Sequence, residues 1–153
     1  MELDEKTIVE DVVKSKRDHV LIDATDVDKY KLIEKKLPFK NHLHTFTVAT
    51  FIGYYYADSS KKIDKTYNGF VHLSVYRNSP YLDFLKTFAI VYENDPLVLV
   101  DEKRLFSICE GYARTGIDLL VEWVDTNEED LENIIAKILI EKFDELNIEW
   151  VNN

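Results

Sequence analysis

Backbone breakers are scarce in this sequence: its 153 residues include only four glycines and three prolines. An all-β fold with many tight turns draws on both, so the shortage points towards helices. The few glycines form neither Gly-x-Gly-x-x-Gly nor a Walker A loop, and no Gly-x-Ser-x-Gly elbow is present. One cysteine, Cys109, excludes an internal disulfide framework. Its apolar neighbours make it read as a small core side chain, since no helix start or basic cluster is at hand to lower its pKa. No apolar run approaches the roughly 20 residues of a membrane span. The amino-terminal MELDEKTIVEDVV is acidic and lacks the apolar stretch of a secretory signal, so a cytoplasmic location with no membrane contact is expected. Positive charge is also short. Nineteen Lys and Arg stand against 29 Asp and Glu, a net charge of −10. Tight binding to a phosphate backbone normally uses a basic surface. A protein partner is therefore favoured over direct nucleic-acid contact, which a local basic patch would still permit.

What is present is ordinary globular material: 46% of the residues are hydrophobic, and the length suits one domain. Neither an internal repeat nor a low-complexity linker interrupts it. A single domain over 1–153 is expected, with a charge-rich helical segment at 1–37 and a core at 38–146. Ile8, Val9, Val12 and Val13 share a helical face. Residues 18–23 fit a short strand or a connection. Asp26 or Asp28 then caps a helix that Pro38 ends. A helix follows from Asn41 to about Tyr56, with Gly53 marking a close backbone approach or a C-terminal cap.

The run from Phe70 to Tyr76 is rich in β-branched and aromatic residues and reads as a strand. Ser79-Pro80 opens a helix carrying Leu82, Leu85, Phe88, Ala89 and Tyr92, which Asn94-Asp-Pro96 stops. Leu97-Val-Leu-Val100 is apolar and short, a buried strand or a connection. From Asp101, Leu105, Ile108, Cys109, Tyr112, Ala113, Gly116, Ile117, Leu120 and Val124 form one helical stripe. Gly111 and Gly116 mark either a break near Arg114 or a point of close packing. Thr126-Asn-Glu-Glu129 is a capping box for a last helix carrying Leu131, Ile134, Ile135, Ile138 and Leu139. The fold class expected is mainly α: a compact helical domain with a C-terminal antiparallel helical hairpin and one or two short strands, at about 70–76 and 97–100.

Chemistry-bearing constellations are thin. His42, His44, His72 and Cys109 lack zinc-ligand spacing, and the histidines read as solvated or capping groups. Asp101-Glu-Lys103 loosely resembles a metal-dependent nuclease strand, but its spacing is wrong and a helix start explains it. Lys61, Lys62 and Lys65 fit a solvated loop. The acids that a DNA mimic would need in an extended stripe concentrate instead at a helix start. Tyr54-Tyr-Tyr56 suits either an interface or the edge of the core. No cofactor is implied.

Three segments carry a family resemblance: Phe46-Thr-Val-Ala49 with Ile52-Gly53-Tyr54, Phe84-Leu-Lys-Thr-Phe-Ala-Ile90, and above all Phe106-Ser-Ile-Cys-Glu-Gly-Tyr-Ala-Arg-Thr-Gly116. They are similar to a family associated with the Dnd system for DNA phosphorothioation, in which sulfur replaces a non-bridging phosphate oxygen. The resemblance covers about residues 37–146, with Thr115 standing where the family has a second glycine after Tyr-Ala. It carries no catalytic residue. It implies an accessory, protein-binding component of a DNA-modification or phage-defence system, non-catalytic, whose partner is another protein of that system or a further copy of the chain. A nuclease-like enzyme or an acidic DNA mimic are the alternatives. The contact surface expected comprises Glu110, Tyr112, Arg114 and Gly116 with Lys61 and Lys62.

Overall fold

A computed structural model of the chain describes residues 18–36 and 41–126, and beyond them 133, 135–138, 140 and 141. The fold is mainly α. Strand β1 (His19–Asp23) leads through a 3-10 turn (Ala24–Asp26) into α1 (Val27–Lys36). Helix α2 (His42–Ile52) ends in a π turn (Gly53–Ala57), and an irregular strap over residues 58–65 reaches β2 (Thr66–His72). Helices α3 (Leu73–Arg77) and α4 (Tyr81–Glu93), a 3-10 segment (Pro96–Val100) and the long α5 (Glu102–Thr126) follow. Among the described residues no helix is long and apolar enough to cross a membrane.

Helix α2 is the centre of the molecule, and its sequence shows why. It contains no Asp, Glu, Lys or Arg, and seven of its eleven residues are buried. A helix that is apolar all round belongs inside. Its buried threonines avoid the cost of an unpaired hydroxyl by bonding back along the helix. Thr47 Oγ1 donates to the Leu43 carbonyl at 2.8 Å and Thr50 Oγ1 to that of Phe46 at 2.9 Å. Asn41 caps the start, its side chain accepting from Leu43 N–H at 2.8 Å.

Around α2 pack α5, α4 and the two-stranded sheet. The apolar stripe of α5 is unbroken, with Leu105, Cys109, Tyr112, Ala113, Ile117 and Leu120 buried. Of the two readings of Gly111 and Gly116, close packing is the one observed. A Cβ added to Gly116 would lie 1.7 Å from the Ala49 carbonyl oxygen, and one added to Gly53 would lie 1.9 Å from that of Tyr112. Two helices thus touch backbone to backbone, which only glycine allows.

The strand expectations shift. β1 and β2 pair antiparallel, His19 with His72 and Asp23 with Thr66, around an irregularity between Val20 and Ile22. The strand expected at 70–76 therefore lies earlier and stops at His72. The His72 ring accepts from Ser74 N–H at 3.1 Å, capping α3, and Leu73 and Tyr76, three apart, both turn into the core. Residues 97–100 are helical rather than a strand, because the Asp95 side chain accepts from Leu97 N–H at 2.9 Å and Pro96 opens the turn. Asp23 caps the 3-10 turn that runs into α1, its side chain accepting from Thr25 N–H, and Asp28 stands in the first turn of α1. The amino-terminal helical face, Pro38 and most of the second helix of the expected C-terminal hairpin lie outside the described residues.

The glycine contact sets two helical tendencies against each other. Alanine in place of glycine inside a helix ordinarily stabilises by about 1 kcal/mol. Gly116→Ala and Gly53→Ala are expected instead to destabilise by about 1–3 kcal/mol, the cost of overpacking. A Cβ at Gly111 comes no nearer than 3.1 Å to the Ser60 Cβ and 3.6 Å to the Lys61 carbonyl oxygen, so Gly111→Ala is expected to stay within about 1 kcal/mol of the parent. Urea unfolding of the three variants checks this, and a stabilised Gly116→Ala protein would refute the close approach.

Candidate functional site

The densest polar cluster lies on the face of α5 that carries Glu110, Arg114 and Asp118, one helical turn apart in sequence. This alternation of acid, base and acid meets β1, the start of α1 and the strap. Glu110 Oε1 accepts from Leu21 N–H at 2.8 Å, inside the stretch where the strand register shifts. The Arg114 guanidinium reaches three carboxylates at 3.3 Å each: Asp23 and Asp64 through its terminal nitrogens and Asp26 through Nε. It also donates to the Lys62 carbonyl. Asp118 receives both Lys29 Nζ and Lys61 Nζ at 2.6 Å, and Lys29 returns to Asp26 at 2.7 Å.

Asp23 is the hub on the other side. Its Oδ1 accepts from Thr25 N–H at 3.0 Å and from the Thr25 hydroxyl at 2.7 Å. Its Oδ2 accepts from Asp64 N–H at 2.9 Å and Lys65 N–H at 3.1 Å. The strap is thereby fastened to β1, and Ala24 N–H adds a bond to the Lys65 carbonyl at 2.7 Å. The bonds from Thr25, then those from the strap, hold the Asp23 carboxyl far below the usual carboxylate range against the opposing effect of burial. Burial works against the charged form of Asp118 too, but Lys29 and Lys61 outweigh it and its pKa is lowered. Burial likewise opposes the charge on Lys29 and on Arg114. Their carboxylate partners prevail, and both pKa values are raised.

The six residues expected to form a contact surface divide into two groups. Glu110, Arg114, Lys61 and Lys62 come together at the strap. There Lys61, Lys62, Glu110 and Ser107 help line a groove of about 360 Å³. Tyr112 and Gly116 point the other way, into the contact with α2. Tyr112 packs against Tyr54 and Tyr92 at 5.4 Å and Phe88 at 5.8 Å, and burial followed by its bond with Tyr92 pushes its hydroxyl up to about 12. Lys61 and Lys62 are exposed, whereas Glu110, Tyr112 and Gly116 are buried. Asp23, Lys29, Asp64 and Asp118 were not singled out from the sequence, and Asp26 was named there only as a helix cap. The spacing of Glu110, Arg114 and Asp118 on one helical face was the available signal.

The other chemistry-bearing residues are engaged locally. Asp101 Oδ1 accepts from Arg104 N–H at 3.0 Å at the start of α5, and Glu102 pairs with Arg77 at 2.8 Å. His42 bonds Glu34, His44 packs on Tyr81 at 4.5 Å, and burial raises the Cys109 thiol pKa. Among the described residues no three His, Cys, Asp or Glu are grouped to hold a metal ion.

The family described as DNA sulphur modification system-associated protein 4 matches residues 12–150. No curated protein and no solved structure matches the chain.

Replacing Arg114 leaves Asp23 and Asp26 buried without their shared cation. Arg114→Met is expected to cost about 3 kcal/mol or more, with Arg114→Lys recovering only part of it, since a single ammonium does not reproduce the guanidinium fork. The pH dependence follows from the directions above. Asp23 and Asp118 have folded values below the unfolded 3.8, so their stabilisation is full above that value and is lost as pH falls through the folded ones. Thermal melts are expected to drop steeply below about pH 4 in the parent and less steeply in Asp23→Asn. Equal acid sensitivity in the two would remove Asp23 as the hub.

Proposed function

The chain belongs to the DNA sulphur modification system-associated protein 4 family, and from that membership we propose that it is a non-catalytic accessory component of such a system. It acts in the cytoplasm, in phage defence, by holding another protein of the system. The observation that carries the non-catalytic part is how the charged cluster is spent. Asp23, Asp26, Asp118, Arg114, Lys29 and Lys61 bind one another and tie β1, α1 and the strap to α5. Such a cluster serves as scaffold, whereas a general acid or base must have a proton to give or take at a substrate. The nuclease alternative has less support, because Asp101 and Glu102 are committed to the helix start and to Arg77. The net charge of −10 favours a protein partner over a phosphate backbone.

Co-expression of the tagged chain with the proteins of a DNA sulphur modification system, followed by size-exclusion chromatography, is expected to give a stable complex. Recovery of this chain alone refutes the proposal. DNA cleavage in Mg²⁺ or Mn²⁺ that is lost in Glu102→Ala would replace it with the nuclease reading.

A further inference from the structure

Helices α2 and α4 run in the same direction, as their ring contacts show. His44 meets Tyr81 at 4.5 Å, Phe51 meets Phe88 at 5.8 Å, and Tyr54 meets Tyr92 at 6.3 Å. Beside this seam lies a stripe that faces water. Phe84 is 55% exposed, Val91 63% and Tyr55 49%, while Phe51, stacked on Tyr55, is half-buried. Phe84 and Val91 are seven apart and so share one helical face. The residue between them on that face, Thr87, is uncharged, and α2 contributes no Asp, Glu, Lys or Arg. In a chain that is 31% charged, an uncharged apolar face about 10 Å long is the kind of surface that marks a protein contact.

The ends of the stripe indicate what covers it. Asp83 stands in the first turn of α4, and Asp58 follows the π turn at the far end. Both are exposed, and neither has an ion-pair partner among the described residues. A second copy would bring acid to acid at this rim and set a net charge of −10 against another −10. We propose that the α2–α4 face is the docking surface for another protein, one that presents an apolar patch flanked by lysine or arginine to Asp58 and Asp83. The proposal rests on the accessory reading above and names the surface it uses.

The test measures binding of the full chain to each purified protein of a DNA sulphur modification system by surface plasmon resonance. Phe84→Lys and Val91→Lys remove apolar contact and set a cation against a basic partner. Val100→Lys makes the same charge change at a side chain 84% exposed in the 3-10 segment before α5. Circular dichroism and melting temperature establish that all three are folded. Phe84→Lys and Val91→Lys are expected to weaken binding at least about tenfold, and Val100→Lys to leave it unchanged. Asp58→Asn with Asp83→Asn is expected to weaken it several-fold at about 0.05 M salt and little at about 0.5 M.

Binding that survives Phe84→Lys and Val91→Lys overturns this surface and leaves the accessory reading in place. A parent chain that binds none of the system's proteins overturns both. A parent that is dimeric by light scattering, and that Phe84→Lys makes monomeric, overturns the choice of occupant in favour of a second copy.

Discussion

Backbone contact between α2 and α5 is the constraint on which the rest of the structure depends. Gly53 and Gly116 lack side chains where the opposing helix brings its carbonyls. Helix axes normally stay 8–10 Å apart, as the side chains between them require. Removing those side chains draws α5 onto an α2 that is already buried on nearly every side. The opposite face of α5 is then placed at the height of β1 and the strap. Glu110 reaches Leu21, Arg114 reaches Asp23, Asp26 and Asp64, and Asp118 reaches the two lysines. A wider spacing at the glycines would lengthen every one of these bonds.

The charged cluster is therefore best understood as a consequence of helix packing. Burying Asp23 and Asp26 costs several kcal/mol of desolvation per ion, which the fixed partners must offset. What such a network adds is definition: it accepts one position of the strap and one register of β1 against β2. That division of labour suits an accessory protein. Its polar interior maintains shape, and the docking surface proposed for α2 and α4 lies on another face. The family membership and the acidic charge fit the same picture.

Elements whose cause is local were legible in the sequence. The start of α2 near Asn41, the stripe of α5, and the start and stop of α4 at Ser79-Pro80 and Asn94-Asp-Pro96 follow from residues a few positions apart. The family was legible as well, since Glu110-Gly-Tyr-Ala-Arg-Thr-Gly116 contains both the contact glycine and the central arginine. Errors arose where two local signals competed. Val71 to Tyr76 is β-prone in composition, but the imidazole of His72 is in place to start a helix and the spacing of Leu73 and Tyr76 supports it. Pairings over long sequence distances were beyond reach. Leu21 and Glu110 are 89 residues apart, as are Lys29 and Asp118, and no periodicity reports such a meeting. For the same reason Tyr112 and Gly116 could be grouped with Lys61 and Lys62 on paper, while the fold sends them to opposite sides of one helix.

The π turn at Gly53–Ala57 bears on how the length of this segment is constrained. A π turn holds more residues per turn than an α-helix, so the three consecutive tyrosines are fanned rather than wound. Tyr54 enters the cluster with Phe88 and Tyr112, Tyr55 stacks over Phe51, and Tyr56 meets Trp123 at 5.3 Å. Loss of one residue here would restore α-helical winding and rotate everything downstream by about 100°, parting Tyr56 from Trp123 and misaligning the strap with Arg114. Substitutions among the tyrosines are local events, whereas a single deletion resets the phase of the segment that follows. Homologues that share this fold should therefore conserve the number of residues between Gly53 and Asp64 more strictly than their identity.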